Sequence, residues 1–323
     1  MKRRDFLKKS TIAAAGVAAS QRLLHPLTGE ASSATKQIPR RPLGKTGVNL
    51  SIIALGGMAL ADVSQPFANN LVAESLDRGI NYIDISPTYD DAQQRLGPAL
   101  KPHRQRVFLA CKTLARDKKG AAKELDESLQ QLQTDHVDLY QLHAIAKISD
   151  VNQALGPGGA IEAFVEARKA GKVKFLGFSA HSVEAALLAI DRFNFDTVLF
   201  PVNFVMYSQA KFGPQVVQRA REKQMGVMAI KAMAKTVWPA SVKKHHPYSK
   251  CWYEPAALPA EATLALRWTL SQPITAAIPP GDIEYFRMAM EVAQNFSPLN
   301  EAESHTLMAR ATGVEPLFHL GSA

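Results

Sequence analysis

The side chains of Asp84, Tyr89, Lys112 and His143 could together deliver a proton to a substrate. A phenol is a poor acid at neutral pH, with a reference pKa of about 10. A neighbouring ammonium favours the phenolate and lowers that value; Lys112 could supply it. Asp84 would keep Lys112 charged and oriented, and His143 would hydrogen-bond the substrate oxygen and fix its direction. The set suits an acid that protonates a carbonyl oxygen as hydride arrives at the carbon. Each residue alone has a plainer reading: a solvated lysine, a structural histidine, an aspartate that caps a turn. Their positions favour the joint reading. Asp84 closes a short apolar run in NYIDISPTY (81–89) with Tyr89 just beyond it, Lys112 ends VFLACK, and His143 ends VDLYQLH.

The elements that would position them alternate regularly. Short apolar runs at 52–54, 82–85, 107–112, 137–142, 173–178, 198–200, 227–230 and 275–278 read as strands. Helical spacing follows at 69–78, 93–100, 120–132, 161–170, 183–192, 215–223, 260–270 and 283–292, with Gly171 as a C-cap. Strands alternating with helices imply parallel strands joined by crossovers. Eight such units over about 245 residues predict a closed (β/α)8 TIM barrel. In a barrel the C-terminal strand ends face the active site, and neighbouring strands lie about 4.8 Å apart. Asp84, Lys112 and His143, ending the second, third and fourth strands, could therefore share a pocket that Tyr89 reaches. A doubly wound open sheet is the alternative fold, disfavoured because no GxGxxG follows the first strand.

Gly44-Lys45-Thr46-Gly47 is a turn between two extended runs and predicts an N-terminal β-hairpin. A long connection, 231–259, carries Trp238, His245, His246, Tyr248, Trp252 and Tyr253. It would follow the seventh strand, at the catalytic end, and connections of this length are usually functional or disordered. His245-His246 has no nearby partner for a metal, and no metal site is expected. The tail from residue 300 holds one more helical stretch, 301–310.

The chain has 323 residues, 46% apolar and 21% charged, a composition that supports a large core without disulfides. Its net charge is +9, of which the first 37 residues carry +5. The basic balance thus belongs mainly to the N-terminus, no stripe of interleaved basic and aromatic residues is present, and no nucleic-acid partner is expected. Cys111 and Cys251 cannot ligate an iron–sulfur cluster or a zinc knuckle, and buried or free thiols are the favoured reading. MKRRDFLKK at the start, followed by the weakly apolar Ala-rich run 11–19, resembles a twin-arginine export signal. That run is about half of the ~20 residues a stable membrane span needs. Residues 1–37 are accordingly expected to be a signal peptide and linker, processed between 19 and 34, with 38–323 the barrel and its C-terminal helix. The twin-arginine export machinery would be a partner and the periplasm the destination.

From about residue 40 to 296 the chain resembles the aldo/keto reductase family. RPLGKTGVNLS, IALGGM, NYIDISPTY, VFLACKT, VDLYQLH, KVKFLGFS and IPPG carry the likeness in order and spacing. The resemblance implies a (β/α)8 barrel that uses NADP(H) or NAD(H) to reduce aldehydes and ketones, with a small-molecule carbonyl substrate. It places the family's catalytic tetrad on Asp84, Tyr89, Lys112 and His143. It also places nucleotide contacts on Gly57 and Met58 after strand one, Ser179 in GFSAHS and Gly281 after strand eight, with Lys231 able to reach a phosphate. Several positions depart from the family pattern. Ala180 stands where Asn is common, Leu199 where a strand-six Gln is frequent, and Ile230-Lys231 where a stacking Tyr often stands. Asp282 occupies a position that often meets the 2′-phosphate and would repel it, and Gln294-Asn295 only echoes the usual Glu-Asn pair. Non-redox carbonyl chemistry by a retained acid–base set, and a non-catalytic ligand-binding barrel, are the alternative readings.

Overall fold

The computed structural model describes residues 36–242 and 246–321. The twin-arginine segment and His245 lie outside them. An antiparallel hairpin, β1 (Arg40–Pro42) and β2 (Asn49–Ser51), comes first. The alternation follows as β3 (Leu55–Gly56), α1 (Gln65–Asp77), β4 (Tyr82–Asp84), α2 (Ala92–Leu100), β5 (Phe108–Thr113) and α3 (Lys118–Gln131). It continues with β6 (Val137–Ile145), α4 (Ile148–Leu155), α5 (Ala160–Lys169), β7 (Val173–Ala180), α6 (Val183–Arg192), β8 (Thr197–Pro201), α7 (Phe204–Ala210), α8 (Pro214–Glu222) and β9 (Gly226–Ile230). The last elements are β10 (Ala234–Val237), β11 (Tyr253–Pro255), α9 (Pro259–Ser271), β12 (Ala276–Ala277), α10 (Ile283–Gln294) and α11 (Glu301–Ala311).

β3 to β9 and β12 form one eight-stranded sheet in the spatial order β3-β4-β5-β6-β7-β8-β9-β12, all pairs parallel. Its edges meet through a parallel bridge between Ile53 and Ala277, with Ala54 N donating to Ala277 O at 3.0 Å and Ala277 N to Ile52 O at 2.9 Å. The sheet is thereby closed, the expected (β/α)8 barrel.

Strand parity explains what faces inward. Successive side chains on a strand point to opposite faces, and here the interior side holds Ala54, Tyr82, Phe108, Ala110, Leu139, Leu199, Met228, Ala276 and Ile278, packed as one cluster. Leu43 and Leu50 from the hairpin complete it at the N-terminal end. Each is buried, which contributes about 1.5–3 kcal/mol for each of the large aliphatic and aromatic side chains. Asn81 joins hairpin to barrel: its Oδ1 accepts from Ser51 N at 2.7 Å and its Nδ2 donates to Asn49 O at 2.9 Å. The opposite strand faces pack under the helices, with Cys111 in that outer layer. Both cysteines are buried free thiols.

Caps set the helix starts. Asp117 Oδ1 accepts from Gly120 N at 2.9 Å, Ser182 Oγ from Ala185 N at 3.2 Å and Asn300 Oδ1 from Glu303 N at 2.8 Å. α5 stops at Gly171, whose φ of +76° is the left-handed conformation expected of a C-cap.

The structure departs from the expected elements in three places. The first strand pairs as β3 over 55–56 rather than 52–54, because 52–54 instead makes the closing bridge to Ala277. α4 and α7 are additional helices between a strand and its return helix. The 231–259 connection contains an antiparallel pair, β10 and β11, with Val237 opposite Tyr253. α11 packs on α7 and α9 through Leu307, Ala311, Phe204, Val205 and Ala265. Among the described residues no helix is long and apolar enough to cross a membrane.

Candidate active site

Asp84, Lys112 and His143 all carry inward parity on β4, β5 and β6, and the register makes them neighbours: Asp84 lies opposite Ala110, and Lys112 opposite Gln141. With Tyr89, which follows β4 in a turn closed by Tyr89 N donating to Ser86 O at 3.2 Å, they line one cavity of about 320 Å³ at the C-terminal end of the barrel. The Lys112 ammonium donates to Asp84 Oδ1 in a short ion pair, to Ile85 O at 3.1 Å and to Tyr89 OH at 3.4 Å. It also lies 5.0 Å from the Tyr89 ring centre. His143 Nδ1 pairs with Ser86 Oγ at 3.2 Å, and its ring meets Tyr89 edge-on with centres 6.0 Å apart. When Ser86 donates to Nδ1, Nε2 carries the proton and becomes a donor for a substrate oxygen.

The structure adds two residues to this group. Asp84 Oδ2 accepts from Tyr82 OH at 3.2 Å and from Gln141 Nε2 at 3.2 Å. Both could have been found by counting two residues back from Asp84 and from His143, which keeps the inward parity.

Burial sets the protonation states. It pulls the Lys112 ammonium down, but Asp84 and Tyr89 outweigh it and the net shift is upward, so Lys112 stays charged. For Tyr89, burial raises the phenol's pKa, Lys112 lowers it and Asp84 raises it; the net direction is upward. Lys112 acts in the expected direction, but the expected net lowering is overturned: desolvation of the phenolate outweighs the one cation beside it. Burial, then Lys112, hold the His143 imidazole down at about 3, so it is neutral at physiological pH.

The remaining expected residues line the same cavity: Gly57 and Met58 after β3, Ser179 at the end of β7, Lys231 after β9, and Gly281 after β12. Ser179 Oγ accepts from Ala144 N at 2.7 Å and keeps its own proton to donate. Leu199 and Ile230 complete the wall between them. Asp282 caps α10, its Oδ1 accepting from Glu284 N at 3.0 Å and Tyr285 N at 3.3 Å. The 231–259 connection, expected at the catalytic end, supplies Trp252 and Tyr253 to the cavity wall, together with Lys250, which the sequence pattern did not single out. Lys250 Nζ ties this segment across to the turn after β3, donating to Ala61 O at 2.7 Å.

This buried Asp–Lys–Tyr set and a neutral imidazole at the C-terminal mouth of the barrel bring together groups that can deliver a proton to one point. Residues 52–297 match the model of the aldo/keto reductase family, and the chain belongs to that family. The chain is 30% identical over 155 residues to the uncharacterized oxidoreductase YqkF of Bacillus subtilis, covering 44% of this chain and 48% of the relative. It is 29% identical over 171 residues to L-galactose dehydrogenase of Arabidopsis thaliana, covering 48% and 53%. These matches thus span about half of those relatives' length. Oxidoreductase YrpG of Bacillus subtilis is matched at 26% identity over 302 residues, 78% of this chain and 90% of the relative. Among solved structures, the holo form of aldo-keto reductase AKR11C1 from Bacillus halodurans superposes with a TM-score of 0.68 at 22% identity, covering 88% of this chain and 99% of that one. That likeness supports the fold.

Proposed function

We propose that the protein reduces aldehyde or ketone carbonyls with a nicotinamide nucleotide, Tyr89 giving the proton. The observation that carries this is the contact of Tyr89 OH with the Lys112 ammonium at 3.4 Å, in a buried pair with Asp84. Burial keeps the proton on the phenol until an alkoxide develops on the substrate. The phenolate left behind sits beside the ammonium, which stabilises it in a medium of low dielectric. Asp84, held by Tyr82 and Gln141, fixes Lys112; His143 Nε2 orients the carbonyl oxygen. The bound nucleotide supplies the hydride.

The cavity suits such a nucleotide. The tetrad forms one wall, backbone at 56–58 and 278–281 another, and Leu199 and Ile230 offer an apolar face between them. Gly281 keeps those backbones close, since a Cβ there would lie 2.5 Å from Met58 Cβ; a Cβ at Gly57 would lie 2.3 Å from Ile85 Cδ1. Ser179 would donate to the carboxamide. The Asp282 carboxylate occupies the first amides of α10, where a phosphate could otherwise bind, which supports NAD(H) over NADP(H). Titration of the purified protein with NADH and NADPH, followed by aldehyde-dependent nucleotide oxidation, tests the reading. Saturable binding with turnover is expected; no binding of either nucleotide overturns it.

The twin-arginine motif at Arg3-Arg4 supports export through that machinery to the periplasm, with residues 1–37 as signal and linker.

A further inference from the structure

Lys231 follows β9 in a way that continued strand alternation would not allow. Ile230 and Lys231 are adjacent, yet both line the cavity. The left-handed backbone at Lys231, φ +66°, turns the second side chain inward. Asn203 holds that conformation, its Nδ2 donating to Lys231 O at 3.0 Å while Ala234 N donates to the same oxygen at 3.0 Å. The ammonium thus delivered lies 4.7 Å from the ring centres of both Trp252 and Tyr253. No carboxylate pairs with it among the described residues. Burial lowers its pKa to about 8, and the nearby Cys251 thiol is itself pushed up to about 12 and offers no charge.

A second polar group in the cavity lacks a hydrogen-bond partner. His181, just past β7, stacks on Phe318 with centres 5.0 Å apart, and its buried Nε2 has no hydrogen-bond partner. Burial, then Lys231, hold this imidazole at about 4, so it is neutral and can donate from Nε2. Burying a cation without a counter-charge and a donor without an acceptor is unfavourable unless a ligand completes them.

We propose that Lys231 and His181 form an anion subsite for the substrate, and that the carbonyl compounds turned over carry a carboxylate. The proposal rests on the carbonyl-reductase reading. Lys231 supplies the charge, His181 the directed hydrogen bond, and Asn203 is the positioning residue. A cofactor phosphate is the other anion with the chemistry for this place, and the test separates the two.

The test compares 4-carboxybenzaldehyde with its neutral counterpart 4-methylbenzaldehyde. Wild type should favour the carboxylate at least about tenfold in kcat/KM, mainly through KM, and Lys231→Met should bring that ratio close to one. Lys231→Arg should restore part of it, which a purely structural role for Lys231 would not do. Equal use of the two aldehydes by wild type overturns the proposal and leaves the reductase reading standing. So does a Lys231→Met enzyme that keeps the ratio and binds nucleotide about tenfold more weakly, the signature of a phosphate contact. Were neither aldehyde turned over, the reductase reading would fail, and calorimetric binding of benzoate against benzyl alcohol would decide the subsite. Benzoate binding that is lost in Lys231→Met supports it; no benzoate binding to wild type refutes it.

Discussion

Replacing Lys112 with methionine removes the ammonium and keeps most of its volume, leaving the Asp84 carboxyl group in the barrel interior without its counter-charge. Both side chains are buried, at 0% and 2% exposure. Removing one partner of a buried ion pair costs about 3–5 kcal/mol, because the other charge is left uncompensated. Asp84 would keep two neutral donors, Tyr82 OH and Gln141 Nε2, so the low end, about 3 kcal/mol, is expected. Asp84→Asn should cost a similar amount, since the Lys112 ammonium would keep only neutral acceptors, Ile85 O and Tyr89 OH among them. The double variant Asp84→Asn/Lys112→Met buries no charge and should lie within about 1–2 kcal/mol of wild type. Equilibrium urea unfolding of wild type, both single variants and the double variant, with slopes compared, gives the coupling directly. Single-variant losses below about 1 kcal/mol, or a double variant as unstable as the sum of the two, would refute the account of Lys112 as held by a desolvated carboxylate.

Gln141→Leu removes one donor to Asp84 together with a buried Oε1 that has no partner, so stability should change by less than about 1 kcal/mol while kcat falls up to about tenfold; an unchanged kcat would remove Gln141 from the site. Asp282→Ser should shift coenzyme preference toward NADPH by about tenfold in the ratio of dissociation constants, because the carboxylate leaves the α10 amides; an unmoved ratio counts against that reading. His143 and His181 are held at about 3 and 4, below the unfolded value of about 6.5. The unfolded chain therefore binds those protons first, and their contribution to stability is present above the unfolded value and lost as pH falls through it toward the folded ones. Urea midpoints measured from neutral pH down to acid should fall, and a flat profile would contradict the two burials. Arg3→Lys/Arg4→Lys should keep the protein in the cytoplasmic fraction; periplasmic recovery equal to wild type would argue against twin-arginine export.

The convergence of Asp84, Tyr89, Lys112 and His143 on one cavity was legible because it obeys a local rule. Asp84, Lys112 and His143 stand at strand ends with the same parity, and parity survives any error of a residue or two in strand length. Gln141 and Tyr82 follow the same rule and were open to the same reading. The protonation of Tyr89 was not, because its sign depends on how much burial outweighs one cation, a quantity set by the whole pocket. Lys231 was visible as a residue but not as a geometry: its turn into the cavity is held by Asn203, 28 positions away. Trp252 and Tyr253 reach the site through the β10–β11 pairing, which no periodicity announces. The first strand was placed a few residues early, since only the register between Ile53 and Ala277 decides where the barrel shuts.

The central claim is that Tyr89 donates the proton, and Tyr89→Phe tests it most directly. Phenylalanine fills the same space against His143 and Lys112 and lacks only the hydroxyl. Single-turnover oxidation of bound NADH by an aldehyde should slow by at least about a hundredfold, with the nucleotide dissociation constant within about a factor of two of wild type. Transfer at the wild-type rate in Tyr89→Phe would contradict the account.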